Sequence, residues 1–156
     1  MKSKLYFEAF SNDKDKLTEF LNKTFEAVSK FKNFQIIDKK IVDPITKDIK
    51  TPDGKTMNGW SSYLEIYADF KDFDSLVDFI LFYTPSRIDI EDIKEMKIVT
   101  KDNEIKYNKE KINLLLNQIP QAINMKVSAL LNIYLAQVKK DSKGPDNQSL
   151  TNLKIK

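Results

Sequence analysis

The sequence predicts an α+β fold for this chain of 156 residues. Stretches in which apolar and polar residues alternate, typical of strands, are interleaved with stretches whose apolar residues recur every three or four positions, typical of helices. Hydrophobic residues make up 41% of the chain, enough for a core, and the length fits one domain. We therefore expect an antiparallel sheet with helices packed against it.

The first predicted elements are a strand, a helix and a second strand. Leu5, Phe7 and Ala9 alternate with residues of the opposite strand face. Residues 13–31 carry an apolar stripe at helical spacing, which predicts an amphipathic helix. Residues 34–42 are rich in isoleucine and other β-formers, and we expect them to be a strand.

Residues 43–59 are predicted to be a connection, because they contain two prolines and turn dipeptides such as Asp53-Gly54. Two interpretations stay open for this segment, a long hairpin connection and a mobile loop. Residues 60–70 alternate again as a strand. An apolar stripe from Phe73 then predicts a helix, capped by Asp72 or Asp74.

The remaining elements complete a sheet and extend it. Pro85 ends the second helix, and Ile88 and Ile90 form the buried side of another strand. Residues 96–99 and 105–107 are predicted to form a small hairpin.

The order strand–helix–strand–strand–helix–strand is the split βαβ, or ferredoxin-like, arrangement. In this arrangement two helices cover one face of a four-stranded antiparallel sheet and leave the other face open. We predict this domain for residues 1–107, a C-terminal helical extension for residues 108–140 and a disordered tail for residues 141–156. Within the extension, Pro120 either begins a second helix or kinks a continuous one.

The composition excludes several kinds of site. The chain has no Cys and no His, so it holds no disulfide, no Cys or His zinc site and no thiolate or Ser–His catalysis. None of its three glycines lies in a phosphate-binding motif. We predict no cofactor and no bound metal, and a non-enzymatic role in preference to a catalytic one.

Charge is distributed unevenly along the chain. Residues 1–56 carry 12 basic and 9 acidic residues, residues 57–95 carry 3 and 9, and residues 96–156 carry 11 and 5. The net charge of +3 therefore conceals an acidic middle between two basic ends, which favours intramolecular neutralisation. No apolar run has the length of a signal peptide or a membrane span, so we expect no membrane contact and a cytoplasmic location.

The open face of the predicted sheet is the first candidate site. The first and third strands are neighbours in this topology, so we expect their tyrosines to cluster. Carboxylates on the same face are oxygen ligands suited to Mg²⁺ or Ca²⁺, although surface acids more often pair with lysines. The predicted ligand or partner face consists of Tyr6, Glu8, Tyr63, Glu65, Tyr67, Arg87 and Asp89.

Residues 5–10 resemble the short first-strand motif of the RNA-recognition motif family at its aromatic and aliphatic positions. Residues 59–66 resemble the longer third-strand motif loosely, because no Lys or Arg precedes Gly59 and Tyr63 falls one position late. The resemblance implies base stacking on strand aromatics. Acidic residues outnumber basic ones on this face, and phosphate binding needs a basic surface, so the charge argues against RNA binding there.

The C-terminal helix is the second candidate site, because it is apolar nearly all round and a helix of that kind is usually buried on more than one side. We expect it to cover the tyrosines of the open face, to pair with a second copy in a symmetric homodimer, or both. Its main stripe also holds Leu130 and Val138. The predicted partner residues are Ile123, Val127, Leu131 and Tyr134.

These features favour a homodimeric interaction or assembly module. One alternative is a nucleic-acid-binding protein that uses basic residues of the 43–59 segment and the C-terminus. The other is a carboxylate-based domain that binds a divalent metal or a small ligand. The basic residues of the first alternative are Lys47, Lys50, Lys55, Lys139, Lys140 and Lys143.

Overall fold

The computed structural model describes residues 1–50, 54, 56–99, 101 and 103–141. The chain divides into two compact units, Met1–Ala122 and Ile123–Lys156. The fold is mixed α+β, with an open antiparallel sheet and, in the described part, three helices. The α+β class expected from the sequence is therefore confirmed.

Ten helices and strands follow one another along the described chain. The longest strand has 15 residues and lies inside the main sheet. The elements are β1 (Lys2–Ser11), α1 (Lys14–Val28), β2 (Phe34–Ile41), β3 (Ile45–Lys50), β4 (Thr56–Phe70), α2 (Phe73–Tyr83), β5 (Arg87–Ile90), β6 (Glu95–Val99), β7 (Glu104–Asn108) and α3 (Lys109–Asp141).

The main sheet has the strand order β2-β4-β1-β5, and β3 also pairs with β4. β6 and β7 form a separate two-stranded sheet. The main sheet thus has five strands where four were predicted, so its arrangement differs from the predicted four-stranded ferredoxin-like sheet. The difference arises in the segment 43–59, which was predicted to be a connection.

Much of that segment is strand. β3 pairs with the first part of β4 from Ile45 opposite Ser61 to Lys50 opposite Thr56. β4 is long enough to pair with β2 along its second half and with β3 along its first half, and it pairs with β1 on its other side. Backbone hydrogen bonding between strands outweighs the turn propensity of this segment. Residues 51–53 and 55 lie outside the described residues.

Local sequence signals determine where α1 and α2 begin and where α2 ends. Asp13 caps α1, since its side chain accepts from the backbone N–H groups of Asp15 and Lys16. Of the two candidate caps for α2, Asp72 is the one used, and it accepts from the N–H of Ser75 at 2.8 Å. α2 ends at Tyr83 and is capped by Thr84, which has a left-handed backbone conformation (φ 44°) and whose N–H donates to the carbonyl of Ile80.

The core lies between one face of the sheet and α1, α2 and the first part of α3, which contributes Ile112 and Leu116. Along β4 every second side chain from Ser62 to Phe70 is buried, which is the period-two pattern expected from the sequence. Phe79 of α2 packs against Phe31, Phe34 and Phe70 with ring centroids 5.3–5.5 Å apart. This packing fixes which residues of β1, β4 and β5 face the helices and therefore which residues form the opposite face.

The first part of α3 covers the β5 edge of the sheet. The Asn117 side chain accepts from the N–H of Ile88 at 2.8 Å and donates to its carbonyl at 2.7 Å. Asn113, one helical turn earlier, accepts from the N–H of Ile90 at 2.8 Å. Two asparagine amides thus hydrogen bond to β5 as a neighbouring strand would, and they satisfy an otherwise unpaired sheet edge.

α3 extends through Pro120 as one helix and does not begin anew there. Of the tail predicted for residues 141–156, Asp141 is the last residue of α3, and residues 142–156 lie outside the described residues. Over the described chain, no helix combines the length and apolarity needed to cross a membrane.

Candidate functional surfaces: the tyrosine face and the C-terminal helix

The side of the main sheet that faces away from α1 and α2, called the tyrosine face, is formed by alternate side chains of β1, β4 and β5. In the ladder between β1 and β4, Tyr6 lies opposite Glu65 and Glu8 lies opposite Tyr63. The Tyr6 and Tyr63 rings are 5.9 Å apart between centroids, with an interplanar angle of 57°. The face therefore has two neighbouring tyrosines, each with a carboxylate directly across the ladder.

Arg87 lies on the β5 side of this pair. It is opposite Tyr6 in the ladder between β1 and β5, and its guanidinium carbon is 5.2 Å from the Tyr6 ring centroid. Its Nη2 donates to Asp89 at 2.6 Å. This hydrogen bond is the main reason that the pKa of Arg87 is raised. Three predicted face residues, Tyr6, Arg87 and Asp89, are thus brought together.

Tyr67 has a comparable arrangement with Lys4. Lys4 lies opposite Tyr67 in β4, and its Nζ is 5.9 Å from the Tyr67 ring centroid. The same ammonium forms an ion pair with Glu91 at 2.8 Å. The pKa of Glu91 is lowered chiefly by this hydrogen bond from Lys4, and a hydrogen bond from Tyr67 also contributes.

Lys4 was not among the predicted site residues, although its position in the sequence contains the signal. It precedes Tyr6 by two residues, and residues two apart in a strand point to the same face. Lys40 lies opposite Glu65 in the ladder between β2 and β4, which places a further base on this side of the sheet. The acidic excess of the tyrosine face is therefore smaller than the sequence indicated.

The electrostatic environment of Tyr6 is still negative. Burial is the main reason that the pKa of its phenol is raised, and the nearby carboxylates of Glu65 and Asp89 raise it further. Lys4 and Arg87 act in the opposite direction. The neutral phenol is therefore the form favoured on this surface over the usual physiological range.

The carboxylates of the tyrosine face do not form a metal centre within the described residues. Glu8 and Glu65 lie on neighbouring strands, diagonally across the ladder. No group of three or more acidic residues in the described ranges is arranged to hold a cation. A divalent metal ion on this face would therefore have two neighbouring carboxylates, Glu8 and Glu65, and no third acidic ligand among the described residues.

The C-terminal helix, taken by itself, carries a series of exposed apolar side chains. Val127, Leu131 and Tyr134 are 55%, 57% and 63% exposed, and Ile123 is half-buried. The side chain of Val138, which belongs to the same predicted stripe, lies outside the described part. Beyond Ala122, the exposed large apolar residues of α3 whose side chains are described are Met125, Val127, Leu130, Leu131, Ile133, Tyr134 and Leu135.

The fold and these surfaces define an α+β protein with an open antiparallel sheet, an aromatic and charged sheet face, and an apolar C-terminal helix. The model of the MJ0538 family matches residues 2–152, which is nearly the whole chain. The protein belongs to the MJ0538 family. Searches of curated proteins and of solved structures found no match.

Proposed function

We propose that this protein is a non-enzymatic assembly module that forms a homodimer through its C-terminal helix. The observation that carries the proposal is the exposure of seven large apolar side chains between Met125 and Leu135. Lys126 is the one charged residue in the sequence from 123 to 138. Contiguous apolar surface of this kind is typical of a protein–protein interface.

A second copy of the chain is the partner that fits the size of this surface. If the five apolar side chains on one side of the helix (Ile123, Val127, Leu130, Leu131 and Tyr134) each bury about 100 Å² per protomer, the dimer buries on the order of 1,000 Å², which is at the lower end of specific interfaces. Two-fold homodimers are also the commonest soluble oligomers, because one self-complementary patch is sufficient to form them.

The spacing of the apolar residues supports helix-to-helix packing. Ile123, Val127, Leu130 and Tyr134 are separated by four, three and four residues, the spacing of a coiled-coil seam. Asn132 lies on the opposite side of the helix from this seam. We call Ile123, Val127, Leu130 and Tyr134 the seam, and Asn132 is the polar position outside it that serves as a control.

The test is the solution mass of full-length variants, measured by size exclusion with light scattering. Val127→Glu is expected to raise the dimer dissociation constant by about 100-fold or more, because an unpaired carboxylate buried in an interface costs several kcal/mol. Asn132→Glu places the same charge outside the seam and is expected to leave the dimer intact. Equal behaviour of the two variants would contradict the proposal.

We also propose that residues 1–90 are a divergent ferredoxin-like module. The support is that β1 lies between β4 and β5, that β2 lies on the other side of β4, and that all these pairs are antiparallel. β3 is then an extension of the β2 edge along the same long strand. An experimental structure in which β1 pairs with strands other than β4 and β5 would overturn this assignment.

A further inference from the structure

Two tyrosines of the tyrosine face each carry a cation that a carboxylate holds in place. In each set the cation lies 5.2–5.9 Å from the ring centroid and 2.6–2.8 Å from a carboxylate oxygen. Both the ring and the carboxylate attract the cation, so the three groups stabilise one another. The two sets are Tyr6 with Arg87 and Asp89, and Tyr67 with Lys4 and Glu91.

Tyr63 has the ring and the carboxylate of such a set without the cation. Glu8 lies directly across the ladder from it, and Glu65 follows it by two residues on the same face of β4. Among the residues that the structure describes, neither carboxylate forms an ion pair and no Lys or Arg lies over the Tyr63 ring. Arg87 attracts Glu8, and Lys4 attracts Glu65, from beyond ion-pair distance, and each of these two cations is already paired with another carboxylate. Lys40 of β2, directly opposite Glu65 in the ladder, likewise forms no ion pair with any residue of the described ranges.

We propose that Tyr63, Glu8 and Glu65 form a binding site for one cationic side chain of a partner protein, an arginine guanidinium or a lysine ammonium. The cation would lie between the Tyr63 ring and the Glu8 carboxylate, in the arrangement that Arg87 has with Tyr6 and Asp89. A guanidinium fits better than an ammonium, because it is planar, stacks on an aromatic ring and bonds a carboxylate through two N–H groups.

The site is accessible to such a side chain. Glu8 is exposed, and Tyr63 is half-buried. Glu8 also lines a groove of about 460 Å³, but the walls of that groove include Leu17 and Phe20 of α1, so it opens toward α1 and is not part of this site. The partner is therefore a basic segment that lies across the tyrosine face and inserts one side chain over Tyr63.

The test uses a peptide probe and its neutral isostere. Acetyl-Gly-Arg-Gly-amide is titrated into isotope-labelled full-length protein and followed by NMR; the same peptide with citrulline in place of arginine has the shape without the charge. We expect saturable shifts at the amides around Tyr63 and Glu8, and binding of the citrulline peptide about tenfold weaker or more. Equal binding of the two peptides, or no saturable shift with the arginine peptide up to about 20 mM, would overturn the proposal.

Matched variants locate the site. Glu8→Gln is expected to weaken binding of the arginine peptide about threefold to tenfold, and Tyr63→Leu about tenfold, whereas Tyr63→Phe, which keeps the aromatic ring, stays within about twofold. Glu91→Gln removes a carboxylate from a set that already has its cation, and it is expected to change binding by less than about twofold. If Glu91→Gln weakens binding as much as Glu8→Gln, the site is not at Tyr63. Because the site lies within residues 1–122, Val127→Glu is expected to bind the peptide as the unmodified protein does.

Discussion

At position 59, the residue type is dictated by the tertiary structure, because only glycine fits between β4 and β1. A Cβ at this buried residue would lie 2.4 Å from Cζ of the Phe10 ring and 2.7 Å from the carbonyl oxygen of Ser11. The ring can shift, but the backbone oxygen belongs to β1, which is paired with β4 at this point. The close approach of two backbones therefore requires glycine here.

We predict that Gly59→Ala lowers the free energy of unfolding by about 1–3 kcal/mol, the usual cost of inserting a methyl group into a packed site. Urea denaturation measures the change. Gly54 provides the control, since a Cβ there meets no atom within 4 Å and its φ is +82°. Asn tolerates that backbone region, so Gly54→Asn is expected to change stability by less than about 0.5 kcal/mol. An equal loss in both variants would rule out the steric explanation.

The pKa of Tyr6 is raised by burial and, in addition, by the negative charges of the tyrosine face. Because its pKa is raised above the usual value, the protonated phenol contributes stability that is present below the usual tyrosine pKa and lost as the pH rises through the raised one. We predict that Glu65→Gln lowers the pKa of Tyr6 without returning it to the usual value, because burial is the larger cause. A ¹³C NMR titration of the ring measures this; Glu110→Gln, a change on α3, is the control. An unchanged Tyr6 titration in Glu65→Gln would contradict the account.

Strand parity explains which residues of the tyrosine face the sequence could predict. Alternation assigned Tyr6, Tyr63 and Glu65 to one side of the sheet, and the observed register places them there. The same alternation places Lys4, two residues before Tyr6, on this face, so the sequence already indicated a basic residue there. The contact between Gly59 and Phe10 could not be predicted, because it depends on which strands pair and in which register.

At the scale of elements, α3 is required for the integrity of the β5 edge. The Asn117 side chain accepts a hydrogen bond from the N–H of Ile88 and donates one to its carbonyl. The Asn113 side chain only accepts one, from the N–H of Ile90. Two asparagines spaced four residues apart lie beside the buried Ile112 and Leu116 of the same helix. Their side chains therefore face the sheet and not the solvent.

We predict that Asn117→Ala lowers the free energy of unfolding by about 1–3 kcal/mol, the cost of leaving buried backbone groups without hydrogen-bond partners. Asn113→Ala is expected to cost less, because it removes a single accepted hydrogen bond from the edge. Thermal or urea denaturation measures both, and the exposed neighbour Gln118→Ala is expected to change stability by no more than about 0.5 kcal/mol. A loss in Gln118→Ala as large as in Asn117→Ala would contradict the assigned role.

Elements with strong local signals were predictable, and those that depend on pairing were not. The cap at Asp72, the end of α2 before Pro85 and the hairpin near residues 96–107 follow from local sequence, and each has its structural counterpart. β3 was missed because turn signals flank it, with Pro44 before it and Pro52 and Asp53-Gly54 after it, while its pairing depends on the long neighbouring strand β4. The asparagine contacts to β5 contained one usable signal, two polar residues on the apolar side of a helix.

At the scale of the whole molecule, the apolar seam and the charged surfaces lie on different parts of the chain. Lys4, Lys97 and Lys106 form their ion pairs within residues 1–122. The helix from Ile123 to Val138 contributes a single charge, Lys126. The proposed dimer would therefore form by burial of apolar surface, with little contribution from electrostatic attraction.

We predict that the dimer dissociation constant changes by less than about threefold between about 50 mM and about 500 mM NaCl, because screening acts on charges and the seam has none. Light scattering at several protein concentrations measures it. A dissociation constant that rises steeply with salt would instead indicate an interface built from the basic and acidic segments of the chain.

Sedimentation equilibrium of the unmodified full-length chain tests the central claim of self-association most directly. Over protein concentrations from about 1 to about 100 µM, we expect the data to fit a reversible monomer–dimer equilibrium with a limiting mass of twice 18.2 kDa. A single species of 18.2 kDa at every concentration would contradict the proposed assembly role.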